Sequence, residues 1–217
     1  MQETDKSQEQ GQKPPRNLNI WTRLGMALVG MVFVMIGIGQ MSKGYAEMKA
    51  ADNPGASEIT DTVKKSLAES KSFKDPKGNL SFEYPASWTV ADDTTAETPF
   101  RANALDNLID FRISKEAIPE GMNAQSYVEA MDKVVGAEKR IHDLTKISEE
   151  KFSANGNEGI KRIQTLKHGD TPVLIKQVFV VMVNKNNAYC SVGTTTEKLF
   201  PDVEPVFTKV YNSYKFE

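Results

Sequence analysis

The sequence has few of the side chains that most often carry chemistry: one cysteine, Cys190, and two histidines, His142 and His168, in 217 residues. A single cysteine cannot form an internal disulfide, so the chain is compatible with any redox compartment. Cys190 falls on a predicted strand in phase with Ala188 and Val192, which favours a small core residue over a reactive thiol. We place His142 near a helix end and His168 at a hairpin turn. Neither has a partner at metal-ligand spacing, so we expect both on the surface.

The motifs of common catalytic sites are also missing. The sequence contains no G-x-x-x-x-G-K-[ST] phosphate loop, no G-x-S-x-G nucleophile turn, no H-E-x-x-H zinc helix and no C-x-x-C pair. We therefore predict a protein without catalytic activity and without a cofactor, and we assign no catalytic or cofactor-binding residue. Metal ligands stay open, because Asp92, Asp93 and Glu97 could collect a divalent cation loosely; a solvated loop is the favoured interpretation.

An excess of charge of either sign is absent too. The net charge is -2 and the isoelectric point is about 5.8, so nothing indicates a nucleic-acid-binding surface. We interpret the pairs Lys161-Arg162 and Lys167-His168 as solvent-facing residues of a hairpin. A hydrophobic fraction of 39% and a charged fraction of 26% fit a globular unit, and the length leaves room for one domain of ordinary size.

One long apolar stretch, Leu24–Met41, contains no charged residue. At a rise of about 1.5 Å per residue, this stretch makes roughly 27 Å of helix, close to the hydrocarbon thickness of a bilayer. Trp21 and Tyr45 stand at its two ends, where aromatic rings prefer the level of the lipid headgroups. We therefore predict a transmembrane helix over residues 20–41.

The flanks of this helix indicate its orientation. Lys13, Arg16 and Arg23 precede it, a bias that favours an N-terminus on the cytoplasmic side. A cleaved signal peptide is the alternative, because Gly44-Tyr45-Ala46 could serve as a cleavage site. An uncleaved anchor is favoured, since the apolar run is longer than the core of a usual signal. Both alternatives export the C-terminal domain to the periplasmic side. With the favoured anchor, the predicted location is the inner membrane, which the chain crosses once.

The chain divides into four predicted segments. Residues 1–19 are polar and lack apolar periodicity, which predicts a disordered cytoplasmic tail ahead of the transmembrane helix. Residues 42–72 form a connector with a short helix for which Ser57 is a candidate N-cap. This helix could dock weakly on the domain, but we favour a stalk. Residues 73–217 form one globular domain.

The first half of the domain alternates between strand and helix patterns. Leu80–Tyr84 has the period of a strand with one buried face, and Trp88 begins another extended segment. In Ile109–Ile113 the apolar residues are predicted to point inward, with Asp110 and Arg112 outward. Asn123 is placed to cap a helix with an apolar stripe.

The second half indicates a meander of long strands closed by a helix. Asn155-Gly156 is a strong hairpin signal, and Val173–Val183 is apolar enough to be the central strand, buried on both faces. A stripe from Val203 to Tyr214 predicts the last helix, with Pro205 in its first turn. Together these elements predict an α+β domain, a central antiparallel sheet packed by helices.

Two segments carry a resemblance to a known family. Gly78–Trp88, with the sequence GNLSFEYPASW, resembles the opening motif of PsbP-like and DcrB-like domains, and Asn212–Phe216 resembles the end of their closing helix. The resemblance covers residues 73–217. It implies an α/β/α sandwich and an extracytoplasmic, membrane-associated accessory role.

The predicted function is that of a membrane-anchored accessory module that binds a protein partner in the membrane or envelope. The anchor, the stalk and the missing catalytic motifs all favour it. The predicted partners are the membrane and a protein, with no nucleic acid. The alternative is a periplasmic protein that binds a small ligand or a divalent metal in a cleft beside the sheet.

Overall fold

A computed structural model describes residues 56–76, 79–105, 107–169 and 173–217 of the chain. The predicted cytoplasmic tail, the transmembrane helix and the first part of the connector lie outside these residues. The helices are α1 Ala56–Ala68, α2 Ala124–Val135 and α3 Phe200–Asn212. The strands are β1 Ser70–Lys74, β2 Leu80–Pro85, β3 Thr89–Val90, β4 Phe100–Ala104, β5 Ile109–Ala117, β6 Ile141–Ala154, β7 Asn157–His168, β8 Ile175–Asn184, β9 Asn187–Thr196 and β10 Lys215–Phe216.

Two antiparallel sheets organise the described residues. The large sheet has seven strands in the order β3-β4-β5-β9-β8-β7-β6, and the small sheet has the order β1-β2-β10. Asn155 and Gly156, both with positive φ, close the β6–β7 hairpin as predicted. The apolar run after residue 173 forms β8, an interior strand buried on both faces, although β9 occupies the middle position.

Helices flank the large sheet on both faces, because successive side chains of a strand point in opposite directions. Val180 packs into a core shared with α3, whereas its neighbour Val181 packs into a second core shared with α2. Asn123 caps α2, accepting a 2.9 Å hydrogen bond at Oδ1 from the Ser126 backbone N–H, as predicted. The predicted arrangement of antiparallel strands and flanking helices is therefore confirmed.

The closing helix α3 lies very close to the sheet. Its predicted apolar stripe is buried, and the Tyr211 hydroxyl accepts a 2.9 Å hydrogen bond from Gly193 N–H while donating one of 2.9 Å to the Val178 carbonyl. Val178 and Gly193 face each other on β8 and β9, so this hydroxyl connects the helix to both strands. A Cβ added at Gly193 would lie 2.7 Å from the Phe207 ring, so the close approach requires glycine here.

Three predictions of local structure need correction. The helix begins at Phe200 with Pro201 in its first turn, so Pro205 lies inside α3 and not in that turn. Ser57 is the second residue of α1 and not the residue before the helix. Asp110 and Arg112 point away from the α3 side as expected, but both are buried and hydrogen-bond to each other.

The helix of the connector belongs to the domain. Val63 of α1 packs against the main core, and Lys209 of α3 donates a 2.7 Å hydrogen bond to the carbonyl of Leu67. The next residues form β1, which pairs with β2 through Ser70 to Lys74, so the predicted boundary at Phe73 falls inside a strand. For residues 56–72 the docked alternative is therefore observed, and the favoured stalk is wrong. Helix α1 packs on the core of the domain, and β1 pairs with β2. Within the described residues, no helix is long and apolar enough to span a bilayer.

Candidate functional site

The two histidines lie on neighbouring strands. His142 is part of β6 and not near a helix end, and His168 is the last residue of β7, in register with Ile141. Burial, with the positive charge of Arg140 as the next cause, lowers the pKa of His168. Across the described ranges, no group of three or more histidine, cysteine or acidic side chains has a geometry that could hold a metal ion.

Cys190 is a core residue, as predicted. It lies on β9 and packs in the core beneath α2 together with Ala188 and Val192. Burial, and next the negative charge of Glu116, raises the pKa of its thiol to about 12, so the reactive thiolate does not form near neutral pH. Asp93, in the loop considered for a cation, instead lies 3.6 Å from the Arg101 guanidinium.

Arg162 corrects the prediction of a solvent-facing pair on β7. Its side chain is only 4% exposed and forms ion pairs with Asp132 of α2 and Glu149 of β6, with 2.7 Å between Nε and Glu149 Oε2. The guanidinium also lies 5.3 Å from the centre of the Phe179 ring. Burial opposes its charge, but the hydrogen bonds to both carboxylates outweigh burial and raise the pKa of Arg162. The neighbouring Lys161 is mostly buried too, near Glu150.

One polar residue from each strand of the large sheet falls on a single line across its α2 side. We call this line the polar row. Its members are in register from one strand to the next: Thr89, Asn103, Asp110, Thr194, Gln177, Gln164 and Lys146. Thr89 and Lys146 at the two ends are exposed, and Asn103 is half-buried. The other four residues of the row are buried: Asp110, Thr194, Gln177 and Gln164. On one side of it lies a mixed row, in which Phe179 and Val192 stand between Arg112 and Arg162. On the other side lie the apolar residues Ile175 and Leu166.

The polar row is joined by side-chain hydrogen bonds. Gln164 Nε2 donates to Gln177 Oε1 at 3.0 Å, and Gln177 Nε2 donates to Thr194 Oγ1 at 3.3 Å. Asp110 accepts two hydrogen bonds from Arg112, at 2.7 and 3.2 Å. A buried amide or carboxylate without such partners would cost several kcal/mol, of the order of 2–7 for a neutral group. These contacts therefore supply hydrogen-bond partners to the buried polar side chains of the row.

The polar row ends at the outer edge of the sheet, in the first half of β6. We call residues 141–149 of β6 the free edge, because within the described residues this strand pairs only with β7. Leu144 and Ile147 stand on either side of Lys146 and are 39% and 51% exposed. The register shifts at both apolar residues, and Asp143 has a φ of 53°. Such bulges twist an edge strand and re-aim its side chains.

The free edge carries both aliphatic and charged side chains. Two exposed aliphatic side chains lie beside Lys146, His142 and the pair Asp143–Lys167, whose charged atoms are 2.8 Å apart. This ion pair, chiefly through the hydrogen bond from Lys167, lowers the pKa of Asp143. An apolar centre with a charged rim is the usual composition of a protein-binding patch.

The two flanked antiparallel sheets define a PsbP-like fold. No protein-family model matches the chain, and no curated protein matches it in sequence. Among solved structures it is similar to the cyanobacterial PsbP protein CyanoP of Synechocystis sp. PCC 6803, with a TM-score of 0.54, 17% identity, and 69% of this chain and 94% of that chain covered.

Two further solved structures are similar. The Ran-binding protein Mog1p of Saccharomyces cerevisiae matches with a TM-score of 0.50 and 7% identity, covering 68% of this chain and 95% of that one. LpqN of Mycobacterium tuberculosis, which is involved in cell envelope biogenesis, matches with a TM-score of 0.44 and 11% identity, covering 76% and 98%. At these identities the likeness to CyanoP and Mog1p establishes the fold alone.

Proposed function

We propose that this chain is a non-catalytic, membrane-anchored accessory module that binds a protein partner through the free edge of β6. The observation that carries the proposal is the exposure of Leu144 and Ile147 on an outer strand. Single exposed apolar residues are ordinary, but two on one unpaired edge form a patch that a partner can cover. A PsbP-like fold is compatible with this function, since Mog1p is itself described as a binding protein.

The membrane anchor is the second part of the proposal, and it rests on the sequence. Leu24–Met41 is long and apolar enough to span a bilayer, and it precedes α1, which packs on the domain. The basic residues ahead of the apolar run favour a domain on the extracytoplasmic side. We extend the proposal to a DcrB-like envelope protein of the inner membrane, for which Gly78–Trp88 is the supporting motif.

Site-specific photo-crosslinking of the full-length chain in intact cells tests the partner. A photoreactive amino acid at position 144 or 147 is expected to give a discrete adduct with another protein. The matched control is position 90, because Val90 is 38% exposed on β3, the opposite edge strand of the same sheet. Adducts of equal yield from positions 90, 144 and 147, or none from the free edge, would contradict the proposed site.

A second experiment separates binding from folding. The double variant Leu144→Ser/Ile147→Ser is expected to lose the adduct formed from a probe at position 146, whereas Val90→Ser keeps it. Because these side chains are partly exposed, the free energy of unfolding of both variants should lie within about 0.5 kcal/mol of that of the parent protein.

Fractionation with protease treatment tests the anchor. The intact chain should sediment with membranes, and its C-terminal domain should be digested only by protease added on the extracytoplasmic side.

The alternative function, binding of a divalent cation or small ligand, has its best location in the polar row. Asp110 is the carboxylate of that row, and Arg112 already binds it with two hydrogen bonds while Arg101 lies 3.7 Å away. A carboxylate neutralised in this way is a poor ligand for a cation. Calorimetry with Ca²⁺, Mn²⁺ and Zn²⁺ discriminates the two functions, and micromolar affinity would favour the alternative.

A further inference from the structure

Helix α2 is held on the large sheet at two polar points. Near its N-terminal end, the Tyr127 hydroxyl donates a 2.8 Å hydrogen bond to Oε2 of Glu116 on β5. Near its C-terminal end, Asp132 accepts hydrogen bonds from Arg162, one of them 2.9 Å long. Between these points Val128 and Met131 pack in the core beneath the helix. The two points differ in charge, because only the second places a cation beside the carboxylate.

The surroundings of Glu116 suit a neutral acid. Glu116 is only 7% exposed, and it lies beside the core that contains Tyr127, Ala188 and Cys190. Oε1 is buried without any hydrogen-bond partner, and within the described residues Glu116 forms no ion pair. An ionised carboxylate has room for about four donors, so one tyrosine hydroxyl leaves it under-solvated.

The groups that face Glu116 do not supply the missing charge. Tyr127 on α2 and Cys190 on β9 are its titratable neighbours, and both hold their protons near neutral pH, since burial raises the pKa of each. Ser114, two residues earlier on β5, donates to the Cys190 carbonyl. Lys115 points to the opposite face, where its amine lies 3.2 Å from Asp75.

We propose that Glu116 makes the docking of the N-terminal half of α2 sensitive to pH, while the Asp132–Arg162 contact holds the C-terminal half. The neutral acid fits the buried position and keeps its bond to Tyr127. When Glu116 is ionised, the state with the first turns of the helix open is favoured, because water can then hydrate the carboxylate. Burial raises the pKa of Glu116 in the docked state, and the hydrogen bond from Tyr127 offsets only part of that effect.

The sign of the pH effect follows from linkage. The docked state binds the proton more tightly than the open state, so rising pH favours opening. Between the ordinary glutamate pKa and the raised value, the opening constant should increase by up to about tenfold per pH unit, and it should level off above the raised value. This inference does not depend on the proposed partner, because the measurement needs only the folded chain.

Hydrogen exchange of the full-length protein between pH 4 and pH 8 tests the proposal, with rates corrected for the intrinsic pH dependence. Protection of the amides of residues 127–129 should fall across this range, more steeply than that of residues 133–135. Glu116→Gln keeps an acceptor for the tyrosine hydroxyl and cannot ionise. In this variant the protection of residues 127–129 should therefore not fall as pH rises. A flat profile in the parent protein, or an unchanged slope in Glu116→Gln, overturns the proposal.

Two variants distinguish this device from general loosening of the helix. Tyr127→Phe removes the donor to the carboxylate, so the pH dependence should persist and extend to higher pH. Asp132→Asn should reduce protection at the C-terminal end without changing the slope at residues 127–129. An equal loss of slope in Asp132→Asn and Glu116→Gln would show that the helix responds as one unit and would refute the role of Glu116.

Discussion

The hydroxyl of Tyr211 gives the most direct test of how the fold is held together. It is fully buried, accepts a hydrogen bond from Gly193 N–H and donates one to the Val178 carbonyl. Tyr211→Phe removes this oxygen without changing the ring that packs on Phe111, 5.6 Å between ring centres. The substitution therefore isolates the two polar contacts.

The expected cost follows from the two backbone groups left behind. Each buried donor or acceptor without a partner costs about 1–3 kcal/mol, and the ladder between β8 and β9 can recover part of this. We expect Tyr211→Phe to lower the free energy of unfolding by about 2–4 kcal/mol. The measurement is urea-induced unfolding of the detergent-solubilised chain, followed by circular dichroism.

Tyr214→Phe is the matched control. Tyr214 is equally buried, but its hydroxyl donates a 2.6 Å hydrogen bond to a side chain, Oγ of Ser191. Its removal should cost about 1 kcal/mol, because no backbone group loses a partner. If both variants lost the same stability, or if Tyr211→Phe lost less than the control, the role assigned to the bridge between helix and sheet would be wrong.

Three further substitutions test other contacts, each by the same unfolding measurement. Gly193→Ala should cost about 1–3 kcal/mol, because its Cβ overlaps the Phe207 ring, and Phe207→Leu in the same chain should recover part of that loss. Arg162→Met should cost about 1–3 kcal/mol, since two carboxylates lose their cation; Asp132→Asn in that background should cost less than it does alone. Asn123→Ala should cost about 1 kcal/mol by removing the N-cap of α2, with Gln125→Ala as a neutral control.

The free edge of β6 has a physical reason for its irregular shape. A long, flat outer strand invites pairing with other chains, and proteins limit this with bulges and charged residues. β6 carries both, at Asp143 and around Ile147, yet it keeps two exposed aliphatic side chains. A partner that binds here would contact side chains more than an uninterrupted ladder of backbone groups. The crosslinking experiment at positions 144 and 147 tests this expectation, because it places the photoreactive group on the side chains.

Local patterns in the sequence determined much of the fold. Asn155-Gly156 specifies a tight turn because both residues tolerate positive φ, and the structure has the β6–β7 hairpin at this position. Asn123 and the apolar stripe of α2 similarly define a helix, and so does the stripe of α3. These features depend on neighbours within a few residues, so they can be predicted without tertiary information.

The errors about burial and docking have one cause in common, contacts between residues distant in the sequence. Arg162 has the pattern of a surface residue on β7, but Asp132 and Glu149 come from two other elements and neutralise it in the interior. The connector helix has a narrow apolar stripe, and α3 supplies the surface on which it docks. A charge or a weak stripe has no fixed burial of its own, because burial depends on what the fold brings beside it.

The sequence by itself determined the class of fold, the main hairpin, the N-cap of α2 and the apolar stripes of α2 and α3, since each follows from local periodicity or from a turn. The anchor stays a prediction from the sequence. Tertiary structure alone decided the polar row and the free edge. Each strand contributes one ordinary polar residue to that row, and only the register of the assembled sheet aligns Asp110, Gln177 and Lys146. Register is set by long-range pairing, so no single segment contains the signal.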